Sequence, residues 1–245
     1  MTQAPAKAKE ADYGPSLKEL LAPRLRALNG WQRALLVLAA AAIVAAAVAL
    51  VIRTEAATNS YHQGADDARA RGLTPIPFHF DYSSAMKVTR PPGTYVRVER
   101  RLHDTLSGRL TVSELEIGPQ RGLVSGFMPI VATRYERKAA RSYKGFRLAF
   151  EGRARVNEVE GYQFAFSARL ERPGRTARQL FGRTVMLPEP YDANDPGKPY
   201  PDGQIPTRGI LITMLATTLD KIPSATRVGD EGILQKPFRS FRFGS

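Results

Sequence analysis

Phe146-Arg-Leu-Ala-Phe150-Glu-Gly-Arg-Ala-Arg-Val156 and, after five intervening residues, Tyr162-Gln-Phe-Ala-Phe166-Ser-Ala-Arg-Leu170 alternate apolar and polar side chains. Phe146, Leu148, Phe150, Ala154 and Val156 occupy even positions, with Arg147, Glu151, Arg153 and Arg155 between them. Tyr162, Phe164, Phe166, Ala168 and Leu170 repeat the pattern. Period two is the signature of a strand with one face for a core and one for water. Asn157-Glu158-Val159-Glu160-Gly161 is of hairpin length and contains glycine. The expectation is an antiparallel hairpin with even residues opposite even residues and all the aromatics on one face.

Further strands follow on both sides. Pro173-Gly174 marks a turn into a third strand at Arg178–Leu187. Tyr95–Leu102 alternates with Val96 and Val98 inward, and Arg109–Ile117 changes apolar phase between Val112 and Leu115, which predicts a bulge or an early end. Ile210–Leu219 is rich in β-branched residues and follows Gly209, the pattern of a buried strand. Thr133–Ser142, with Arg134, Glu136, Arg137, Lys138 and Arg141, is the main helix candidate. Asp230–Phe243 predicts a short helix before Pro237, then Phe238, Phe241 and Phe243 docked on the sheet. Five or six mostly antiparallel strands with few helices define an α+β domain, its sheet covered by helices or by a second sheet.

Upstream, Ala34–Ile52 is nineteen residues with no polar side chain, bounded by Arg33 and Arg53. As a helix it spans about 28 Å, close to the hydrocarbon thickness of a bilayer of about 30 Å. A signal peptide has an apolar core of about 7–15 residues behind a short leader. The 33-residue leader favours a retained single-pass anchor instead, running through Ala34, Leu38, Ile43, Val48 and Ile52 with Trp31 at the interface. Lys7, Lys9, Lys18, Arg24, Arg26 and Arg33 precede it, so the positive-inside rule puts the N-terminus in the cytoplasm of a bacterial cell and the C-terminal part outside. The resulting domains are residues 1–33, a basic tail whose Pro15–Leu28 stretch has helical spacing; 34–52, the transmembrane helix; 53–76, a juxtamembrane stalk; and 77–245, the extracytoplasmic α+β domain.

Charge and chemistry narrow the function. The chain of 245 residues carries +13, with 30 Lys/Arg against 20 Asp/Glu after the anchor, a balance that favours anionic contacts. There are no cysteines, so disulfides and thiolate chemistry are excluded. His62, His79 and His103 lack metal-ligand spacing, and no phosphate-binding loop, dinucleotide fingerprint or nucleophile elbow is present. Asp192-Ala-Asn194 begins like a calcium loop, but Pro196 falls on the fifth ligand position. No catalytic residue, metal or cofactor is predicted. Arg147, Arg153, Arg155 and Arg169 are expected to share the outer face of the hairpin as a modest positive binding face.

Arg155-Val-Asn157 with Gly161-Tyr162, Phe181-Gly-Arg183-Thr-Val-Met-Leu187, Gly209-Ile-Leu-Ile-Thr213, and Val228-Gly229 with Phe238-Arg-Ser240-Phe241-Arg-Phe243 resemble the PsbP/Mog1-like fold, in particular its actinobacterial lipoprotein and membrane-anchored members. The resemblance covers Tyr95–Phe243 and implies an antiparallel sheet flanked by helices, serving as a binding or scaffolding module without enzymatic activity. Two departures are the missing lipobox cysteine and the long insert Pro188–Pro206, which holds six prolines. The expected protein is therefore a single-pass, non-enzymatic envelope protein whose domain binds a protein or polymer partner and no nucleic acid. The alternative is a carrier or sensor holding a small apolar or anionic molecule between sheet and helices.

Overall fold

A computed structural model describes residues 29–32, 35, 37–39, 41–42, 57–120, 123–172, 175–193, 195–201 and 204–244. The chain divides into two compact units, Met1–Glu55 and Ala56–Ser245. In the first, the described residues from 30 to 42 are helical, with Trp31 and Leu38 exposed. Among the described residues no helix is long and apolar enough to cross a membrane. Most of the expected span, including Ala34, Ile43, Val48 and Ile52, lies outside them, as do the Pro15–Leu28 stretch and most of the basic tail.

The second unit is built of strands β1 (Thr58–Gln63), β2 (Phe78–Ser83), β3 (Lys87–Thr89), β4 (Thr94–Leu102), β5 (Thr105–Glu116), β6 (Arg147–Val156), β7 (Val159–Arg172), β8 (Arg175–Pro188), β9 (Arg208–Thr217) and β10 (Arg242–Phe243). Helices α1 (Ala65–Ala70), α2 (Val124–Ser142) and α3 (Gln235–Arg239) join them. Seven strands form one sheet in the order β3-β4-β5-β9-β8-β7-β6, and β1-β2-β10 form a second. Every strand pairing is antiparallel. The result is an α+β domain, mostly β.

The middle of the large sheet is buried on both faces. On one, Val98, Leu110, Val185, Ile210 and Ile212 meet an aromatic layer of Tyr61, Phe78, Phe80, Phe241 and Phe243 from the small sheet and the C-terminus. Those rings interlock: Phe78 stacks on Phe241 at 5.3 Å and meets Tyr95 edge-on at 5.4 Å. On the other face, Phe164, Phe166, Leu180, Met186 and Leu215 pack against Phe127, Met128 and Val131 of α2. The apolar phase change in β5 follows from this two-sided burial. Leu110 and Val112 enter the first core, Leu115 and Ile117 the second. Its register with β9 is unbroken; the irregularities lie on the β4 side, around Tyr95 and Ser107.

Three expectations need correction. Residues 57–76 are part of the folded unit instead of a stalk: β1 pairs with β2 over its whole length, and Tyr61, Ala68, Leu73 and Ile76 are core residues. Polar residues there mask the signal, because Gln63 is buried by bonding Tyr61 and Asp67. The helix begins at Val124, nine residues earlier than its charged part suggests, because its first turns are its apolar, buried ones. The hairpin turn is only Asn157-Glu158, both at positive φ (46° and 68°), with Val156 opposite Val159. This two-residue turn puts Phe150 opposite Ala165 and Arg153 opposite Tyr162, odd against even, until a bulge at Ala149 restores Leu148 opposite Phe166. Opposed residues share a face, so Arg153 and Arg155 lie on the α2 side while Arg147, opposite Ser167, lies on the other.

Candidate functional site

Helix α2 is amphipathic in a way that matters to the site. Phe127, Met128, Val131, Ala132 and the half-buried Tyr135 and Ala139 recur at spacings of three and four, and fasten the helix to β7. Arg134, Arg137, Lys138 and Arg141 are exposed on the opposite side. Arg134 donates to the Glu116 carbonyl and lies 5.3 Å over the Tyr135 ring. Beside the helix, β6 adds Arg153 and Arg155, both exposed. None of these six cations forms an ion pair among the described residues. Two of the carboxylates on this side, Glu136 and Glu151, lie near the Tyr162 hydroxyl, whose pKa is pushed up by burial and by those two charges. Glu160, opposite Arg155, is a third carboxylate here, and six positive groups against three negative ones make this the basic face of the domain.

A groove of about 620 Å³ opens at the N-terminal end of α2, between Leu123, Arg155 and the proline-rich loop after β8. The loop is organised by aromatic and polar contacts. The Tyr191 and Tyr200 rings meet edge-on at 5.7 Å, and Lys198 lies 5.7 Å over Tyr191. Tyr200 donates to the Glu189 carbonyl; burial, then the Glu189 charge, pushes its hydroxyl up to about 12. Burial likewise raises the Glu189 carboxyl, against the pull of Arg208. Asp192, first residue of the calcium-like stretch, faces Lys198 at 4.0 Å.

A second, wider cleft of about 720 Å³ lies at the opposite end of α2. Beneath it lie the buried Leu106, Leu180 and Leu215, and its lining carries charges of both signs, Arg101, Arg109, Lys144 and Arg169 with Asp104 and Glu171. Arg101 and Arg109 share Glu99, at 3.0 and 2.8 Å. Burial alone would raise the Glu99 carboxyl, but the hydrogen bonds and charges of these two arginines outweigh it and hold it below the usual carboxylate range. Tyr143, packed at a tilt against Phe166 at 5.1 Å, has its hydroxyl pushed up by burial, with Arg109 and Arg97 opposing.

Of the four arginines expected to form one face, the structure brings two together on the basic face, Arg153 and Arg155; Arg169 alternates with Ala168 and Leu170 of the second core and so lies on the face of β7 away from α2, at the border of the cleft. Arg147 stands apart. His62 and His79, seventeen positions apart in sequence, are opposed in the β1–β2 ladder and stack at 5.4 Å, while no group of three potential metal ligands occurs among the described residues. The cleft had no local signal, because its residues come from the β4–β5 turn, the end of α2, β7, β8 and β9.

No protein-family model and no curated protein matches the chain. Among solved structures, the chain is similar to the solution structure of cyanobacterial PsbP (CyanoP) from Synechocystis sp. PCC 6803, at 14% identity and a TM-score of 0.42, over 77% of this chain and 94% of that one. The resemblance read from the sequence motifs names the family of that structure.

Proposed function

We propose that the chain is a single-pass, membrane-anchored binding module without enzymatic activity, whose α+β domain engages an anionic protein or polymer partner at the outer side of the bacterial cell membrane. The observation that carries this reading is the basic face. Arg137, Lys138, Arg141, Arg153 and Arg155 are held on rigid elements, exposed and without ion partners among the described residues. Such a face costs self-repulsion and lowers it by meeting negative charge. The carrier alternative needs a hollow between sheet and helix at Tyr162, Phe164 and Phe166. Phe164 and Phe166 are instead fully buried, with the Phe166 ring packed at a tilt against Tyr143 and Phe146 at 5.1 and 5.0 Å. The anchor assignment is supported by the length and apolarity of residues 34–52 and by the basic residues before them.

Two measurements test this. A photo-crosslinking residue at Arg137 or Arg153 of the full chain in its membrane should give a discrete adduct that one at Thr226, exposed on the other side of the sheet, does not give. Combined Arg137→Glu, Arg153→Glu and Arg155→Glu should abolish that adduct; adducts indifferent to site and charge would overturn the assignment. For topology, alkaline phosphatase fused after Gly244 should be active, and a well-expressed but inactive fusion would place the domain in the cytoplasm.

A further inference from the structure

The small sheet turns one face to the core and the other to water. Tyr61, Phe78 and Phe80 are buried, and the residues that alternate with them, Ser60 and His62 on β1 and His79 and Asp81 on β2, point outward. Antiparallel pairing then sets Ser60 opposite Asp81 and His62 opposite His79. Opposed side chains in such a ladder leave the backbone about 4.5–5.5 Å apart, and the two imidazole rings lie 5.4 Å apart, 19° from parallel. β2 is the middle strand, so His79 has His62 on one side and Arg242 of β10 on the other. Its Nδ1 faces the Gly244 carbonyl at 3.4 Å, and Gly244 is tied through its own amide to the Pro77 carbonyl. A proton on Nδ1 is directed at that carbonyl and leaves the Nε2 lone pair for a ligand, the arrangement that orients metal-binding histidines.

We propose that His62 and His79 together bind one divalent transition-metal ion, through one nitrogen of each ring, Nε2 in the case of His79, with water in the remaining positions. Two nitrogens on one ion stand about 3–3.4 Å apart at metal–nitrogen distances of about 2.0–2.1 Å. His62 is exposed, and rotation of its ring toward His79 closes that gap. The charged residues beside the pair in the ladder are Asp81 and Arg242, which offset each other. Asp81 accepts from the Ser60 hydroxyl at 2.6 Å, and Arg242 donates to the carbonyls of Arg239 and Phe241. Lys236 is held on the Thr58 hydroxyl, four residues and about 13 Å down β1 from His62. Imidazole ligands select Cu2+, Ni2+ and Zn2+ over Mg2+ and Ca2+, which take oxygen, and Cu2+ stands highest in the series. The ion joins β1 to β2 and so stabilises the folded unit. The site shares no residue with the basic face, so either assignment stands or falls alone.

The test is calorimetric titration of the untagged full chain in zwitterionic nanodiscs, at mildly alkaline pH so that both rings are neutral, with Cu2+, Zn2+ or Mg2+ against empty nanodiscs. Cu2+ should bind, Zn2+ more weakly and Mg2+ not at all. His62→Asn and His79→Asn should each weaken Cu2+ by about tenfold or more, while His103→Asn, at the β4–β5 turn, should leave the titration unchanged. His62 is exposed, so its variant should keep the wild-type urea midpoint without metal, which separates loss of a ligand from loss of the fold. Added Cu2+ should raise the wild-type midpoint and leave that of His62→Asn in place. Electron paramagnetic resonance of the Cu2+ complex should show two nitrogen ligands, and one in His62→Asn. Cu2+ affinity indifferent to His62→Asn, a complex without imidazole nitrogen, or no binding at all would overturn the proposal.

Discussion

Strands β9 and β6 belong to the same sheet and meet opposite fates. β9 is flanked by β5 and β8, and its two faces feed both cores: Ile210, Ile212 and Met214 on one side, Leu211 and Leu215 on the other. β6 pairs only with β7 and forms the edge. Its residues are exposed from Arg147 to Glu151, with Leu148 at 42% and Phe150 at 46%. Yet β6 has the cleaner alternation of the two. Alternation records the pleat; burial is decided by what lies across and above the strand. The exposed edge is protected by its bulge at Ala149 and by its charges, the usual defences against edge-to-edge pairing.

The largest expected contrast is between the two strands themselves. Ile212→Ala in β9 removes a fully buried side chain and should cost about 2–5 kcal/mol, whereas Phe150→Ala in β6 should cost under about 1 kcal/mol. Urea midpoints read both, and equal losses would mean that β6 is covered in solution. Two glycines repeat the contrast on a smaller scale. Gly182 of β8 lies opposite Phe166, and a methyl group there would be driven into that ring, itself locked in the second core. Gly182→Ala should therefore cost about 1–3 kcal/mol. In β6 a methyl at Gly152 would approach the Phe150 ring at 3.0 Å, but that ring is half exposed and swings away, so Gly152→Ala should be close to neutral.

The turn that sets the β6 register offers a gain. Glu158 sits at φ 68°, a conformation that favours glycine. Glu158→Gly should stabilise the hairpin by up to about 1 kcal/mol, reduced by the greater freedom of glycine in the unfolded chain. A loss would mean that the turn is not the two-residue type.

The smallest effect concerns pH, near the opposite edge. Glu99 on β4 has a folded pKa below its unfolded value, so its contribution is present above the unfolded carboxylate value of about 4.3 and fades as pH falls through the folded one. Asp220 runs the other way. Burial raises its carboxyl, against the amide of Ile233 and the charge of Arg100, so its contribution is present in acid and lost as pH rises through its folded value. Glu99→Gln should flatten the acid limb of the stability profile between about pH 3 and 5, and Asp220→Asn should flatten the limb above it. Superimposable profiles for wild type and Glu99→Gln would remove the arginine pair as the cause.

Much of the fold was legible because it is local. The strands β4, β7, β8 and β9 lie within a few residues of where alternation and β-branched runs put them, and Phe241 and Phe243 dock as their spacing predicts. β1 was hidden because it is short and polar, and its core residue Tyr61 has no apolar partner two positions away. The basic face was half legible: Arg153 and Arg155 were found, but their neighbours Arg137, Lys138 and Arg141 belong to a helix whose packing direction no local pattern reveals.

What the sequence determined by itself is therefore the six strands β4 to β9, the absence of thiol chemistry, the excess of positive charge and the apolar run at residues 34–52. Each of these is a property of single residues or of short windows. Only the tertiary structure decided which strand lies at the edge, which arginines stand together and where the sheet is left unroofed. Those outcomes depend on a two-residue turn, a one-residue bulge and the end of one helix, each of which shifts side chains between faces that a linear pattern treats as equivalent.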